Sequence, residues 1–186
     1  KMVKKMKNHI LICGYGRMGR SLARELMRDK VSGIVIIEND PEQIELAEAN
    51  GLLVIDGDAT EEEVLERAGL SKAASLVAAL SNDADNLFLV VTARQMNSNV
   101  DIIVRLEDDG NSRKFLNAGA NRVVSPYNTG AKHIYTLLRM PGVTEFSELI
   151  SREGDISFEL SQLEIDKDSK FVGKLLAESK IREEYG

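Results

Sequence analysis

The residues best suited to chemistry lie near the start of the chain. An apolar run, His9-Ile-Leu-Ile-Cys13, empties into Gly14-Tyr15-Gly16-Arg17-Met18-Gly19, and an amphipathic segment begins at once. A second apolar run closes on Glu38, nineteen positions after Gly19. Each of these residues has a job in holding a dinucleotide. Gly14 allows a tight turn out of a strand, Gly16 removes a Cβ that would block a pyrophosphate, and Gly19 lets a helix lie close on a sheet. The helix start offers free N–H groups and the positive end of a dipole to phosphate. Glu38 is placed to accept hydrogen bonds from ribose hydroxyls, and its charge repels a 2′-phosphate, which favours NAD or adenosine ligands over NADP. The alternative is that the glycines serve strand–helix packing alone, since such a fold need not keep a ligand.

The rest of the chain must supply the elements that position this set. Its 186 residues allow one domain of about 140 residues and a smaller piece. At 43% hydrophobic and 29% charged, the composition is that of an ordinary globular protein. A net charge of −6 argues against a general nucleic-acid or anionic-membrane surface. The single cysteine, Cys13, sits inside the first apolar run and reads as a buried small hydrophobe, consistent with a reducing cytoplasm. No apolar run approaches the roughly 18 residues of a membrane span, and no secretory signal is visible.

Apolar strands and amphipathic helices alternate from residue 9 to about 140. Strands are predicted over 9–13, 33–38, 52–56, 76–80, 101–106 and 122–125, and helices over 18–29, 41–49, 61–68, 84–96, 110–118 and 128–140. The strands are rich in Val, Ile and Leu and nearly free of polar alternation, as strands covered on both faces are. Asp40-Pro41 places a capping acid before a proline at the first helical position. Thr60-Glu-Glu-Glu63 matches a capping box, and Gly51, Gly69 and Gly119 sit where helices stop. Six β–α units with right-handed crossovers give an α/β, Rossmann-like, doubly wound parallel sheet. Ligands bind such sheets beyond the carboxyl ends of the strands. That rule nominates residues 14–19, Glu38 and Asn39, residues 58–60, Ser81 and Asn82, and Arg105.

The pattern changes after Met140. Pro141-Gly142 breaks the helix, 143–150 reads as a further helix, 156–165 alternates like a strand, and 172–179 reads as helix. The expected domains are a basic linker over 1–8, the nucleotide-binding fold over 9–140, a helical crossover over 141–154, and the start of an incomplete α+β domain over 155–186.

As an ordered set, the motifs resemble those of the RCK domain, also called the TrkA N-terminal domain, which regulates potassium channels and transporters. The resemblance rests on the glycine loop, Glu38-Asn-Asp40, Asp56-Gly-Asp-Ala-Thr60, Ala68-Gly-Leu70, Leu80-Ser-Asn-Asp-Ala-Asp-Asn86, Ala118-Gly-Ala-Asn-Arg122 and Val124-Ser-Pro126. The tail, with Ser169-Lys-Phe-Val-Gly-Lys-Leu175, is similar to the opening of a TrkA C-terminal domain.

The resemblance implies a ligand-sensing regulator rather than an enzyme, soluble in itself and placed on the cytoplasmic face of the cell membrane. It implies a homodimer that assembles into a higher, octameric ring below a potassium pore. The basic leader resembles a linker from a pore helix in a one-chain channel, with a separate soluble subunit as the alternative. The implied ligand is NAD or NADH, or another adenine nucleotide such as ATP, ADP or AMP. The candidate site is Gly14, Tyr15, Gly16, Arg17, Met18 and Gly19 with Glu38, Asp58, Ala59, Ser81 and Arg105. Within it, Arg17 and Arg105 approach phosphate, Glu38 holds the ribose, Asp58 and Ala59 lie against adenine, and Ser81 lines the cleft. Plainer roles stand beside these: Arg17 solvated, Arg105 paired with Asp56 or Asp58, and Asp58 capping a turn. Calcium-gated relatives carry carboxylates where this chain has Ala79 and Arg105, so Ca²⁺ is the weaker ligand, with only Glu107, Asp108 and Asp109 as candidates. The implied interface is Ile134, Tyr135, Leu137 and Leu138, joined by Phe146 from the following helix. Packing onto the chain's own sheet is the alternative for these residues. An oxidoreductase needs a proton donor near the cofactor, and the two histidines, His9 and His133, fall outside the predicted cleft.

Overall fold

The computed structural model describes residues 6–139 and Val172. The chain divides into two units at Arg139–Met140, and the fold below belongs to the first. The expected crossover over 141–154, including Phe146, and the α+β segment over 155–186 lie outside the described residues apart from Val172.

Six strands and six helices alternate: β1 (Ile10–Cys13), α1 (Arg17–Arg28), β2 (Ile34–Glu38), α2 (Pro41–Ala49), β3 (Leu53–Asp56), α3 (Glu62–Arg67), β4 (Ser75–Ala78), α4 (Asp83–Met96), β5 (Asp101–Arg105), α5 (Ser112–Ala118), β6 (Arg122–Val124) and α6 (Pro126–Arg139). All pairs are parallel and the sheet order is β3-β2-β1-β4-β5-β6. Chain direction across the sheet therefore reverses between β1 and β4, the crevice where such folds bind ligands. Register brings Cys13 level with Ile37 on one side and Ala78 on the other. The residues that follow, Gly14, Glu38 and Ala79, thus leave the sheet together.

Alternate residues of the central strands feed two cores. Leu11, Cys13, Val35 and Ile37 pack with Val64, Leu65, Leu89, Val90 and Phe115 from α3, α4 and α5. Ile12, Ile34 and Ile36 pack with Ala23 of α1 and Ala47 of α2. This two-sided burial is why β1 and β2 carry no polar alternation. The second face is less complete beyond β1: burial alternates residue by residue along β4 and β5, and α6 contributes no buried residue. The expectation of strands covered on both faces therefore holds for β1 and β2 but not for the β4–β6 half.

Several boundaries shift for local reasons. β4 stops at Ala78 rather than Leu80, because the Leu80 N–H donates to the Asn86 side chain instead of continuing the sheet (2.9 Å). α6 starts at Pro126, two residues before the predicted 128, since proline's fixed φ suits a first helical position. The 110–118 segment splits into a 3₁₀ turn at Asp109–Asn111 and α5. The capping box at Thr60 does not form. Glu61 precedes α3 with no side-chain cap, and the Thr60 hydroxyl and N–H both donate to Asp58 Oδ1 (2.7 and 2.8 Å). The Asp40 cap does form, accepting from the Glu42 N–H at 2.9 Å with Pro41 opening the helix.

Two glycines give opposite expectations. A Cβ on Gly19 would lie 2.0 Å from the Gly14 carbonyl oxygen, which is backbone and cannot step aside cheaply. Gly19→Ala is expected to lower stability by about 2 kcal/mol or more. Gly130 sits inside α6 with nothing within 4 Å of such a Cβ. Gly130→Ala is expected to raise stability by about 0.5–1 kcal/mol. Denaturant unfolding of both variants checks the pair of signs.

Candidate functional site

The site begins where β1 ends. Gly14 takes φ +98°, and a Cβ there would lie 2.8 Å from the Ala79 carbonyl oxygen. Its N–H donates to the Ile37 carbonyl (2.9 Å), locking the turn to β2. Gly19, in the first turn of α1, packs beneath the Gly14 carbonyl. Gly16 directly precedes α1, and its missing Cβ faces open space. α1 has no side-chain cap and no acid in its first turn. Its leading N–H groups are left to face whatever enters, the arrangement that suits an anion.

A cleft of about 890 Å³ opens over this helix start. Gly14, Gly16, Arg17, Met18, Glu38, Asp58, Ala59, Ser81 and Arg105 all line it, so the fold brings together most of the sequence-nominated set. Four nominated residues do not line it: Thr60 donates to Asp58, Asn82 caps α4, and two more belong to the glycine loop and its helix. The Tyr15 side chain turns into the core beside Ile12 and Ile36, and Gly19 is buried. Both serve the loop's shape rather than its surface.

Glu38 has a role the spacing did not reveal. Its Oε2 accepts the Tyr15 N–H (2.6 Å), and its Oε1 accepts the Asn39 and Asp40 N–H groups (2.9 and 3.0 Å). An ionised carboxylate offers about four lone-pair positions, so one remains for a ribose hydroxyl. The same side chain therefore clamps the glycine loop to the end of β2 and presents an acceptor to the cleft. Asp58 forms the turn that was the plainer option for it, through its two bonds from Thr60.

Arg105 pairs with neither Asp56 nor Asp58. Its Nη1 donates to the Leu80 carbonyl (2.8 Å) and more weakly to that of Ser81 (3.4 Å), and its Nη2 meets Glu107 Oε1 at 2.8 Å. Arg17 is exposed and approaches the Tyr127 hydroxyl at 3.4 Å. Glu107, Asp108 and Asp109 do not converge. Glu107 turns to Arg105, Asp108 caps the 3₁₀ turn through the Gly110 N–H, and Asp109 uses its carbonyl to accept from Ser112. Among the described residues no group of three or more His, Cys, Asp or Glu could hold a metal ion. A cation near the end of β5 would meet the Arg105 guanidinium, which repels it.

The remaining titratable groups stand apart. Cys13 is fully buried, and burial pushes its thiol well above the ordinary range, which keeps it an inert core group. His9 is buried away from the cleft and donates through Nε2 to the Ala68 carbonyl (2.9 Å). His133 lies exposed on α6. Of the interface set, Ile134 is 58% exposed, Tyr135 63%, Leu137 40% and Leu138 78%, so none of the four is buried in the core.

Two functional positions escaped the sequence reading. Tyr127 lines the cleft from the first turn of α6. It follows β6 as the other site residues follow their strands, but an edge strand drew no nomination. Asn86 is fully buried in α4. It accepts from the Leu80 N–H and donates to the Leu80 and Arg105 carbonyls (3.2 Å each), stitching the ends of β4 and β5. The available signal was a lone amide in the apolar stripe with Leu89, Val90 and Ala93.

A doubly wound sheet with an uncapped glycine loop at its crevice defines a domain of the nucleotide-binding type. The TrkA-N domain family matches residues 10–126, and the chain belongs to that family. It is 35% identical to potassium channel protein 1 of Methanocaldococcus jannaschii over 99% of this chain, and spans 55% of that relative's length. The fold is similar to the TrkA-N domain of the inner membrane protein YbaL from Escherichia coli (TM-score 0.68, 29% identity, 72% of this chain and 98% of that one). It is also similar to the GsuK channel bound to NAD (TM-score 0.59, 30% identity, 64% of this chain and 22% of that one). GsuK has likewise been solved bound to ADP. No described helix is long and apolar enough to cross a membrane.

Asn86→Leu is expected to cost about 2–4 kcal/mol, because it removes the acceptor of the Leu80 N–H and one donor from each of the Leu80 and Arg105 carbonyls in the interior. Amide hydrogen exchange reads the effect at a single position: the Leu80 N–H exchanges faster in the variant than neighbouring core amides do.

Proposed function

We propose that this domain is a ligand-sensing regulator that sits on the cytoplasmic face of the membrane and gates a potassium channel or transporter when an adenine nucleotide enters the cleft. The observation that carries the reading is the uncapped α1 start beneath Gly16, aimed into a cleft whose other wall holds the Glu38 carboxylate. Phosphate meets the helix start and Arg17, while ribose meets the remaining acceptor of Glu38. The potassium channel and the NAD- and ADP-bound GsuK structures among the similar proteins support the same direction. The domain is a regulator and not an enzyme on this reading: neither histidine of the described fold reaches the cleft lining, and the work done is motion rather than hydride transfer.

The output runs through α6. Pro126 and Tyr127 line the cleft at one end of this helix, and its far half exposes Ile134, Tyr135, Leu137 and Leu138. An apolar face of this kind marks a partner. The partner is a second copy of the chain, and the dimers assemble into an octameric ring beneath the pore.

Calorimetry with NAD, NADH, ATP, ADP and AMP tests the ligand. At least one binds, and Gly16→Asp weakens it by about a hundredfold or more, because the new carboxylate projects at the phosphate while the open space around Gly16 leaves the fold intact. Binding by none of the five overturns the reading. Sedimentation tests the interface. The parent chain runs as a dimer or larger species and Leu138→Asp as a monomer; a parent chain that is monomeric at high concentration removes α6 as the contact.

A further inference from the structure

The charge of the cleft lining says which adenine nucleotides it suits. Five carboxylates line it, Glu38, Asp40, Asp58, Asp85 and Glu107, against two guanidiniums, Arg17 and Arg105. Three of the acids are engaged with backbone N–H groups: Glu38 holds the loop, Asp40 caps α2, and Asp58 forms the turn before α3. At the opposite wall the two cations are in different states. Arg17 is exposed and, among the described residues, has no carboxylate partner. Arg105 is already held. Its side chain is 13% exposed, two carbonyls fix one of its terminal nitrogens, and Glu107 takes the other at 2.8 Å. Glu107 is itself set in place by its own N–H, which donates to Asp83 Oδ1 (3.0 Å) at the start of α4.

We infer that Glu107 is a specificity-determining residue: by engaging Arg105 it restricts the cleft to adenine nucleotides of low phosphate charge, such as NAD or AMP, and disfavours ATP. This rests on the adenine-nucleotide reading of the cleft. A pyrophosphate bridging two nucleosides, or a single phosphate, is met by the helix start and Arg17. A triphosphate brings further charge to a wall where the second guanidinium is occupied. To recruit Arg105 it must displace Glu107, and the displaced carboxylate then stands beside the phosphates, where like charges repel. Glu107 is 52% exposed and reachable by solvent, so the pair yields at a modest rather than prohibitive cost. The result is a preference rather than a block.

The test is calorimetry on the 186-residue chain with NAD, AMP, ADP and ATP, without divalent cations, in the parent, Glu107→Gln, Arg105→Gln and the double variant. The parent binds NAD or AMP more tightly than ATP. Glu107→Gln raises ATP affinity about fivefold or more while leaving NAD within about twofold. That gain disappears when Arg105→Gln is present as well, which ties the effect to the pair rather than to a general change in charge. Thermal unfolding confirms that the exposed Glu107→Gln site leaves the fold intact. ATP bound as tightly as NAD in the parent overturns the inference, as does a gain equal for all four ligands or one that persists without Arg105. In those outcomes the nucleotide reading survives. If none of the four ligands binds the parent, both fall together.

Discussion

The whole site depends on one close approach of backbone to backbone. The Gly14 carbonyl oxygen occupies the space where a side chain at Gly19 would begin, 2.0 Å from that missing Cβ. This contact lets α1 descend onto β1 and β2 rather than stand off by the width of a methyl group. From it follow the direction of the helix start, the seat of Gly16 at the cleft surface, and the burial of Ala23 against Ile12 and Ile36. Gly14 reinforces it from the other side, since a Cβ there would strike the Ala79 carbonyl at 2.8 Å. The loop is thus gripped between α1 and the end of β4. Its shape is set by exclusion, before any ligand is present.

The polar groups around the loop complete the frame in the same way. Glu38 draws three backbone N–H groups onto one carboxylate and so joins the loop to α2's approach. Asn86 joins β4 to β5 through three hydrogen bonds from a fully buried amide. Arg105 is fixed by carbonyls from the β4 end. Each is a side chain that holds backbone while also standing at or just beneath the cleft wall. A ligand arriving here meets groups whose freedom is already restricted, and such preorganisation reduces the entropy lost on binding. The cost of this design is that few donors and acceptors remain uncommitted, so small changes in pairing alter what the cleft accepts.

Much of the frame was legible because it follows from local rules. Glycines after an apolar run, proline after aspartate and unbroken Val/Ile strands each carry their meaning within a few residues. What escaped was non-local. Thr60 had the spacing of a capping residue, yet its hydroxyl had a nearer acceptor in Asp58. Asn86 lies in a helix and acts on two strands, one of them nineteen residues downstream at Arg105. Arg105 had plausible partners in Asp56 and Asp58 by strand position, but β3 and β5 lie on opposite sides of the switch point in the sheet. Its partner Glu107 is two residues away, next to Asp108 and Asp109, in the run that offered the only metal candidates. A run of like charges in sequence says little about which of them face one point in space.

The sheet is covered unevenly, and α6 leaves apolar side chains exposed. Helices α3, α4 and α5 cover one face from β1 through β5, while α1 and α2 cover the other only around β1 to β3. Along β4 and β5 the alternate residues Val77 and Ile103 remain partly exposed. α6 follows β6 directly; none of its residues is buried, and Ile134, Tyr135, Leu137 and Leu138 are exposed. The sheet face along β4 and β5 and the α6 helix each leave apolar area uncovered within this unit. Burial of apolar area contributes roughly 25 cal/mol per Å², so association that covers it is favoured in proportion to that surface. The residues that would sense a ligand, Arg17 and Tyr127, meet at the point where this helix begins. Any force a ligand exerts on Arg17 is therefore exerted beside a helix that contributes no buried residue to the core.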